Sequence, residues 1–276
     1  MANTRARNRN IFILGIGGDI GAALARYYAD QGHRVIGTYR TAKSIKSIST
    51  NSNIRLFKCD LADKSGIKKC IDKYQALGKP WDSFISCAGT MEPIGKFFNT
   101  DFDDWENSII VNSTSQLRFL HELYPHRRKN SLNHVVFFAG GGTNNPFTNY
   151  SAYCTSKIML IKMCELLDDE NKDLNAFIIG PGWVRTKIHA QTLRGRLAAG
   201  SNYDRTKQFL KSDNPGTDYR DIFDCINWCI DQGRQVSGGR NFSVVHDPWQ
   251  KKGKSLARQL RADSNKFKLR RFKNNR

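Results

Sequence analysis

Apolar residues along the chain fall into seven short runs of strand length, most of them without alternating polar residues. The runs are Ile11–Leu14, Arg34–Thr38, Ile54–Phe57, Ser83–Ser86, His134–Phe138, Ala176–Ile179 and Asn241–Val245. A strand that is apolar on both sides is typical of a sheet covered by other elements on both faces. The pattern therefore predicts buried, parallel strands.

Segments with helical periodicity lie between most of these runs. They are Ile20–Asp30, Gly66–Leu77, Trp105–Tyr124, Tyr153–Asp168 and Tyr219–Asp231. Strands joined by helices form right-handed βαβ units, which build a doubly wound sheet. We predict an α/β fold: a Rossmann-like, doubly wound, seven-stranded parallel sheet flanked by helices.

A chain of 276 residues has room for one substantial α/β domain. We divide it into a basic N-terminal extension (1–10), a single Rossmann-like domain (11–249) and a basic C-terminal tail (250–276). Residues 187–215, rich in charge, Gly and Asn, are interpreted as a mobile insertion or lid that forms the substrate loop.

The net charge of +19 is concentrated near the C-terminus, where residues 251–276 hold eleven Lys and Arg and one Asp. Phe267, Leu269 and Phe272 are interleaved with these cations. Three interpretations stay open: a tail that folds back over a neighbouring subunit or docks on an acidic partner, a disordered basic tail, or a surface for nucleic acid or an acidic membrane. The sequence contains no recognised nucleic-acid motif, so we do not expect a nucleic-acid partner.

The cysteines and the hydrophobic segments bear on the compartment. Seven scattered cysteines, mostly in apolar segments, suit reduced thiols of the cytoplasm better than a disulfide framework. Cys225 and Cys229 share one helix face but have no further ligands nearby, so we predict no metal site. We also expect no secretory signal and no membrane span, because no segment approaches the roughly 18 apolar residues that a span requires.

A glycine-rich turn follows the first predicted strand and opens a helix. Glycines allow a backbone to approach phosphates, and a helix N-terminus offers free N–H groups and a positive dipole end. The turn fits the spacing GxxxGxG, except that Asp19 replaces the middle glycine, and we expect its carboxylate to point outward and cap the helix. An ordinary tight turn is the alternative. We assign the pyrophosphate of a dinucleotide to Gly15, Gly17, Asp19, Ile20 and Gly21.

The end of the second strand indicates which dinucleotide binds. Enzymes that use NAD place an acid there for the adenosine ribose, whereas this chain has Tyr39 and Arg40. A guanidinium can hold a 2′-phosphate through two hydrogen bonds. The sequence therefore favours NADP(H), the alternative being that Arg40 is a solvated loop residue.

Tyr153 and Lys157 open a predicted helix, four residues apart and therefore on one face. An ammonium beside a phenol favours the phenolate, so we expect a Tyr153 pKa below its ordinary value of about 10. Such a tyrosine can donate and accept the proton in carbonyl and alcohol chemistry. A pair with this spacing is often an ordinary surface pair, so the other motifs decide its meaning.

Together the motifs resemble the short-chain dehydrogenases/reductases in their shorter form, from Ile11 to about Val245. Cys59-Asp60-Leu61 is similar to the family's adenine-contacting Asp motif. Ser86-Cys87-Ala88-Gly89 resembles its Asn-Asn-Ala-Gly motif with two replacements, and residues 180–186 resemble its PGxVxT segment. The resemblance implies cofactor contacts by Tyr39, Arg40, Asp60, Leu61, Cys87, Ala88, Gly89, Tyr153, Lys157, Pro181, Gly182, Val184 and Thr186.

The resemblance also implies a catalytic centre made of Tyr153, Lys157 and Asn112. Lys157 would hold the nicotinamide ribose, and Asn112 would interrupt its helix and hold a water that links Lys157 to solvent. In the reductive direction Tyr153 would donate its proton to a carbonyl that receives hydride from NADPH. A homodimer or homotetramer built on Trp105–Tyr124 and Tyr153–Asp168 is implied as well.

The family's catalytic serine stands thirteen residues before the tyrosine, where this chain has Gly140. Three interpretations follow. Thr143, or else Ser151 or Asn144, reaches in as a substitute. The N–H groups of the turn at residues 140–142 form an oxyanion-type donor set. Alternatively, the protein is impaired, as a non-catalytic NADP(H)-binding regulatory or scaffold protein would be.

Cations predominate in the predicted substrate loop. They favour a small anionic carbonyl or alcohol substrate, such as a sugar or nucleotide-linked sugar, or an acyl group on an acidic carrier; a solvated loop is the alternative. Residues 237–243 and 268–271 loosely resemble reductase-like proteins of bacterial surface-polysaccharide pathways, which favours a sugar. A nucleotide-sugar epimerase or dehydratase is a weaker alternative. Between its residues 187 and 211 the loop contains one acid, Asp204, against Lys187, His189, Arg194, Arg196, Arg205, Lys207 and Lys211.

Overall fold

Seven parallel strands form one sheet in the computed structural model, which describes residues 8–271. The strand order is β3-β2-β1-β4-β5-β6-β7. The predicted doubly wound, seven-stranded sheet is confirmed, and each predicted run contributes one strand. The strands are β1 (Asn10–Leu14), β2 (Arg34–Tyr39), β3 (Ile54–Lys58), β4 (Ser83–Ser86), β5 (Asn133–Phe138), β6 (Leu174–Gly180) and β7 (Asn241–Ser243).

Helices cover both faces of this sheet. None of them, within the part of the chain described, combines the length and the apolar character needed to cross a membrane. They are α1 (Asp19–Asp30), α2 (Lys64–Gln75), α3 (Phe102–Ile109), α4 (Ser115–Leu123), α5 (Ser151–Glu170), α6 (His189–Gly195), α7 (Ser201–Lys211), α8 (Tyr219–Gln232), α9 (Arg234–Ser237) and α10 (Trp249–Ala262).

The uninterrupted apolar character of the strands follows from burial on both faces. In β1, Ile11 and Ile13 pack into the core shared with α1, α8 and α10, while Phe12 and Leu14 pack into the core shared with α2, α4 and α5. Successive side chains of a strand point to opposite faces, so a strand between two helical layers must be apolar throughout.

The strand order reverses between β1 and β4, and this reversal opens a crevice at the carboxyl ends of the strands. Gly15 follows β1 there with a φ of +80°, and a Cβ on it would lie 2.8 Å from the backbone nitrogen of Ala88. Only glycine combines this conformation with such a close approach. The first turn and the segment after β4 therefore meet at the mouth of the crevice.

The segment at residues 187–215, interpreted from the sequence as a mobile insertion or lid, is largely helical. It contains α6, a 3₁₀ turn at Arg196–Ala199, and α7. Its buried side chains are mostly polar, so the apolar periodicity that indicates a helix is weak. They include His189, Thr192, Asn202 and Thr206, together with Phe209.

The C-terminal tail also contains regular structure that the sequence pattern did not indicate. Helix α10 buries Leu256, Ala257 and Leu260 among its lysines and arginines. After the helix, the ring of Phe267 lies 5.5 Å from that of Phe242 in β7. The described part of the tail therefore packs against its own chain.

A buried arginine fastens the end of this tail. The guanidinium of Arg240 donates to the carbonyl oxygens of Leu260 (2.6 Å), Asp263 (2.9 Å) and Lys266 (3.0 Å). Phe272 and residues 1–7 of the predicted N-terminal extension lie outside the described residues. Asn10, assigned to that extension, begins β1.

Candidate active site

The glycine turn is held tightly against β2. The backbone nitrogen of Ile16 donates to the carbonyl of Thr38 (2.9 Å), and that of Gly15 donates to the Thr38 hydroxyl (3.1 Å). A Cβ on Gly21 would lie 2.6 Å from the Gly15 carbonyl oxygen. Ile20 follows in the first turn of α1, so the N-terminus of this helix faces the crevice and could hold a phosphate.

Asp19 does not cap α1 as expected. The capping position is Gly18, and the Asp19 carboxylate instead accepts a hydrogen bond from the backbone nitrogen of Lys187 (2.6 Å). The Lys187 ammonium donates to the carbonyl of Gly17 (2.6 Å). The Asp19 carboxylate therefore binds a residue distant in the chain instead of capping α1, and the sequence alone gave no indication of this contact.

The residues predicted to hold the adenosine end lie at the carboxyl ends of β2 and β3. Tyr39 is half-buried and Arg40 is exposed, and Arg40 has no ion-pair partner among residues 8–271. Asp60 is exposed, and its carboxylate accepts a hydrogen bond from the Ala62 nitrogen (3.0 Å), while Leu61 is buried. The Arg40 guanidinium is therefore accessible to an anion.

A residue outside the predicted set covers this end of the turn. Ser44 lies in a 3₁₀ segment at Ala42–Ile45, and a Cβ on Gly17 would lie 3.0 Å from the Ser44 Cβ. Gly17 therefore leaves room for the segment that follows β2. Its spacing from the glycine turn offers no clue to this contact.

Two further backbone segments border the crevice. After β4, Cys87 and Ala88 are partly buried, and the Ala88 carbonyl accepts a hydrogen bond from Gln116 Nε2 (3.1 Å). After β6, Gly182 has a φ of +76°, and a Cβ on it would lie 2.8 Å from Thr217 Oγ1. Position 182 therefore requires glycine.

The rest of the segment after β6 is anchored by Val184. Pro181 and Thr186 are half-buried, whereas Val184 is buried and its carbonyl pairs with His189 Nε2 at 2.8 Å. These contacts fix the path of the chain from β6 into α6. The predicted cofactor-binding residues of this segment therefore border the same crevice as the glycine turn.

Tyr153 and Lys157 lie one turn apart near the start of α5, and both are buried. The Lys157 ammonium nitrogen is 5.6 Å from the centre of the Tyr153 ring. Burial raises the pKa of Tyr153 to about 12, with a smaller contribution from Cys154, and lowers the pKa of Lys157 to about 8. The expected lowering of the Tyr153 pKa is therefore wrong for this structure, because desolvation of the buried phenol disfavours its charged form.

Asn112 lies where the helix after β4 is interrupted, as the family resemblance implied. It belongs to a π-helical segment at Ile110–Thr114, between α3 and α4. Its side-chain oxygen accepts from the Thr90 nitrogen (2.8 Å), and its amide nitrogen donates to the Thr90 carbonyl (2.8 Å) and to Ser108 Oγ (3.1 Å). These contacts hold the chain that follows β4.

Gly89 brings Asn112 and Lys157 together. A Cβ on Gly89 would lie 3.3 Å from Asn112 Oδ1 and 3.8 Å from Lys157 Nζ. The two side chains therefore flank the same glycine at the crevice. The water-holding role of Asn112 stays a prediction.

The space beside Gly140 is occupied by the phenol of Tyr153. A Cβ at position 140 would lie 2.5 Å from Tyr153 Cζ and closer still to its hydroxyl. The tyrosine hydroxyl thus fills the volume that a serine side chain would need.

The candidate substitutes for the missing serine are mostly engaged elsewhere. Thr143 Oγ1 donates to the Gly140 carbonyl (3.0 Å), and Ser151 Oγ accepts from Trp105 Nε1 (2.9 Å). Asn144 is exposed. With the Thr143 proton committed in this way, the hydroxyl has no second proton to offer a substrate carbonyl.

Some cations of the predicted substrate loop form hydrogen bonds or ion pairs, and others have no ion-pair partner in the part of the chain that the structure describes. His189 is buried and paired with Val184, and Arg194 pairs with Glu92 at 2.9 Å. Lys187 is fastened to the glycine turn. Four further cations are exposed and have no ion-pair partner among the described residues: Arg196, Arg205, Lys207 and Lys211.

The loop after β4 and helix α6 meet through a residue that the sequence analysis did not single out. Gln191 accepts from the Met91 nitrogen (2.7 Å) and donates to Thr90 Oγ1 (3.0 Å). These partners are about a hundred residues away in the chain, so no local pattern indicates them. Gln191 and Asn112 together fix Thr90 at the edge of the crevice.

The glycine turn, the Tyr153–Lys157 pair and the interrupted helix at Asn112 meet at one edge of the sheet. A family model described as short chain dehydrogenase matches residues 9–196 of the chain. The protein belongs to the short-chain dehydrogenase family. It is thus a member of a family of oxidoreductases that use nicotinamide cofactors.

Individual relatives are distant. An uncharacterised oxidoreductase of Schizosaccharomyces pombe is 30% identical over 125 residues, which cover 45% of this chain and about half (49%) of that protein. The crystal structure of a Saccharomyces cerevisiae short-chain dehydrogenase/reductase matches with a TM-score of 0.76 at 20% identity, covering 91% and 99% of the two chains. That of a Shigella flexneri short-chain dehydrogenase complexed with NADP matches with a TM-score of 0.73 at 20% identity, covering 88% and 99%. At these identities the structures confirm the fold.

Proposed function

We propose that the protein is an NADP(H)-dependent oxidoreductase that reduces a carbonyl, or oxidises the alcohol, of a small substrate, with Tyr153 as general acid and base. The observation that carries this proposal is the burial of Tyr153 and Lys157 side by side, with the Lys157 ammonium close to Gly89 in the segment that meets the glycine turn at Ala88. A phenol and an ammonium that are both buried at a crevice contribute little to packing, and their burial therefore supports a functional role.

NADP(H) is the proposed cofactor because the carboxyl end of β2 offers an exposed guanidinium. Arg40 would hold the 2′-phosphate, and the N-terminus of α1 would hold the pyrophosphate. The NADP bound to the similar Shigella flexneri protein is consistent with this choice. When bound, the cofactor supplies or accepts hydride.

We assign the transfer of the proton to Tyr153. With a pKa of about 12 its phenol stays protonated at neutral pH, so it can donate to a carbonyl oxygen. Lys157, with a pKa of about 8, is mostly charged below that pH and stabilises the phenolate that forms. Because the Thr143 proton is engaged, we assign the polarisation of the carbonyl to backbone N–H groups of residues 140–142.

We propose a small anionic substrate, such as a sugar or nucleotide-linked sugar of a polysaccharide pathway. The four exposed cations of α7 and of the turn before it support an anion. The seven cysteines of the chain are free thiols, which supports a reducing compartment such as the cytoplasm. A homodimer or homotetramer through α3, α4 and α5 stays a proposal, supported by the exposed Met159 and Leu166 of α5.

A second candidate function, a non-catalytic NADP(H)-binding scaffold, is favoured by the absence of a serine at Gly140. Both candidates predict cofactor binding, and only the enzyme predicts turnover. Loss of NADPH absorbance should therefore be followed with a panel of carbonyl compounds that includes keto sugars and nucleotide-linked keto sugars. NADPH binding without turnover on the whole panel would favour the scaffold.

The variant Tyr153→Phe tests the assignment of the general acid. It should keep NADPH binding and lower kcat by about 10²–10⁴-fold, the usual contribution of a positioned general acid. Tyr203→Phe is the matched control, because Tyr203 packs against the same small hydrophobic cluster. Undiminished turnover in Tyr153→Phe would refute the assignment.

A further inference from the structure

One residue fastens the segment after β6 to the glycine turn after β1. The backbone nitrogen of Lys187 donates to Asp19 Oδ2 at 2.6 Å, and its ammonium donates to the Gly17 carbonyl at 2.6 Å. The same ammonium lies 3.8 Å from Asp19 Oδ1. Lys187 therefore binds both the carboxylate and the backbone of the turn.

The charge at Asp19 makes this contact chemically significant. Asp19 is the first residue of α1, where the helix dipole and free N–H groups attract an anion. A carboxylate there would repel a pyrophosphate by Coulomb interaction. The Lys187 ammonium neutralises this carboxylate and places hydrogen-bond donors where phosphates would bind.

We propose that Lys187 is a pyrophosphate-binding residue of the dinucleotide site and that Asp19 is the positioning residue that holds it there. This inference rests on the proposed function. An ammonium has three donors, so Lys187 can keep the Gly17 carbonyl and the Asp19 carboxylate and still donate to one phosphate oxygen. The Asp19 carboxylate thus replaces the family's glycine without leaving a net negative charge at the turn.

The neighbouring cations do not fit this role. Arg185 donates to the carbonyls of Phe209 (3.1 Å), Leu210 (3.0 Å) and Asn214 (2.7 Å), and Arg194 pairs with Glu92. Among the basic residues at 185–194, only Lys187 has a described contact with the glycine turn. Its side chain is 59% exposed, which leaves the ammonium accessible to a ligand.

The inference is tested by titrating NADPH into the wild type, Lys187→Met, Asp19→Asn and the double variant, at low and high salt. Lys187→Met should weaken binding about tenfold or more, because it removes a charge-assisted hydrogen bond worth about 1.5–3 kcal/mol. Its affinity should also depend less on salt. Lys254→Met, at an exposed lysine of α10, is the matched control and should bind like the wild type.

The double variant separates the positioning role of Asp19 from a merely structural one. Asparagine keeps an acceptor for the Lys187 backbone nitrogen but removes the charge that attracts the ammonium. The effect of Asp19→Asn on NADPH affinity should therefore be more unfavourable in the wild type than in Lys187→Met, where no ammonium is left to position and only the repulsion of the phosphates by the carboxylate is removed. The same effect of Asp19→Asn in both backgrounds would overturn the role given to Asp19.

Adenosine 2′-monophosphate, which lacks the pyrophosphate, locates the effect. Competition with NADPH should show that Lys187→Met binds this probe as the wild type does. Equal losses for both ligands, or an NADPH affinity within about twofold of the wild type, would overturn the role of Lys187 and leave the proposed function standing. A wild type that binds no dinucleotide would overturn both.

Discussion

Restoring the family's serine at position 140 should harm this protein. In Gly140→Ser the new Cβ would lie 2.5 Å from Tyr153 Cζ, and closer still to the phenol oxygen. Ordinary carbon–carbon contacts begin near 3.5 Å, so the tyrosine ring or the strand end must move by about 1 Å. Tyr153 is buried on a twenty-residue helix, so displacing its ring costs free energy.

The expected magnitude follows from two effects. Overpacking a close-packed site typically costs about 1–3 kcal/mol of unfolding free energy, which corresponds to about 2–4 °C in Tm per kcal/mol for a chain of this size class. A displacement of about 1 Å of a reacting group can cost about 10²-fold in rate. We therefore expect Gly140→Ser to lower both Tm and kcat, in spite of the added hydroxyl.

Thermal unfolding and NADPH oxidation check this expectation, with two further variants. Gly140→Ala adds the Cβ without the hydroxyl and should behave like Gly140→Ser. Gly180→Ala, at the end of the neighbouring strand β6, is the matched control, because a Cβ there would meet its nearest atom at 3.5 Å. A Gly140→Ser variant with unchanged Tm and higher turnover would refute the steric reasoning.

Three other outcomes are expected. Reductive kcat should be flat below pH 8 and fall above it, because Lys157 (pKa about 8) loses its charge while Tyr153 (pKa about 12) keeps its proton. Lys157→Arg should extend the plateau to higher pH, because arginine keeps its charge. The same fall of kcat in Lys157→Arg and the wild type would contradict this reasoning. In denaturant titrations, Asn112→Ala should lower the unfolding free energy by about 1–3 kcal/mol, because the Thr90 N–H and carbonyl lose their partner. Leu260→Ala in α10 should lower the unfolding free energy by about 2–5 kcal/mol, because Leu260 is buried. Arg258→Ala, at an exposed position of the same helix, should change it by less than about 0.5 kcal/mol. Equal effects of the two substitutions would show that α10 does not contribute a buried face.

The sheet could be predicted from sequence because its physical cause is local and periodic. The central strands β1, β4 and β5 are buried on both faces, so every position in a run such as Ile11–Leu14 must be apolar. The helices α1, α2, α5 and α8 bury apolar faces with the period of a helix, and that period is visible in the chain.

The elements that sequence reasoning missed bury other kinds of surface. Helices α6 and α7 bury polar residues such as Thr192 and Asn202, which form hydrogen bonds with the Tyr150 hydroxyl and the Thr148 carbonyl instead of an apolar stripe. In α10 the buried residues among the cations are Trp249, Leu256, Ala257 and Leu260. A pattern based on hydrophobicity gives little weight to such segments.

The chemistry of the site could be predicted only in part, because its decisive contacts join distant parts of the chain. The spacing of Tyr153 and Lys157 placed both on one helix face, but it could not show that burial raises the Tyr153 pKa. Likewise, the sequence showed that Asp19 replaces a glycine, but the partner of Asp19 lies 168 residues further on. Charge and desolvation depend on the whole fold.

The departures from the family pattern at positions 140 and 19 are each matched by a second feature of the same chain. The glycine at position 140 makes room for the phenol of Tyr153, and the carboxylate of Asp19 faces the ammonium of Lys187. A site that had lost its function would be free to accumulate cavities and uncompensated charges, since no reaction would depend on its geometry. Here the Tyr153 phenol fills the space at position 140, and the Lys187 ammonium neutralises the carboxylate at position 19, where a phosphate would bind. This pairing supports a working reductase over a scaffold that merely retained the fold.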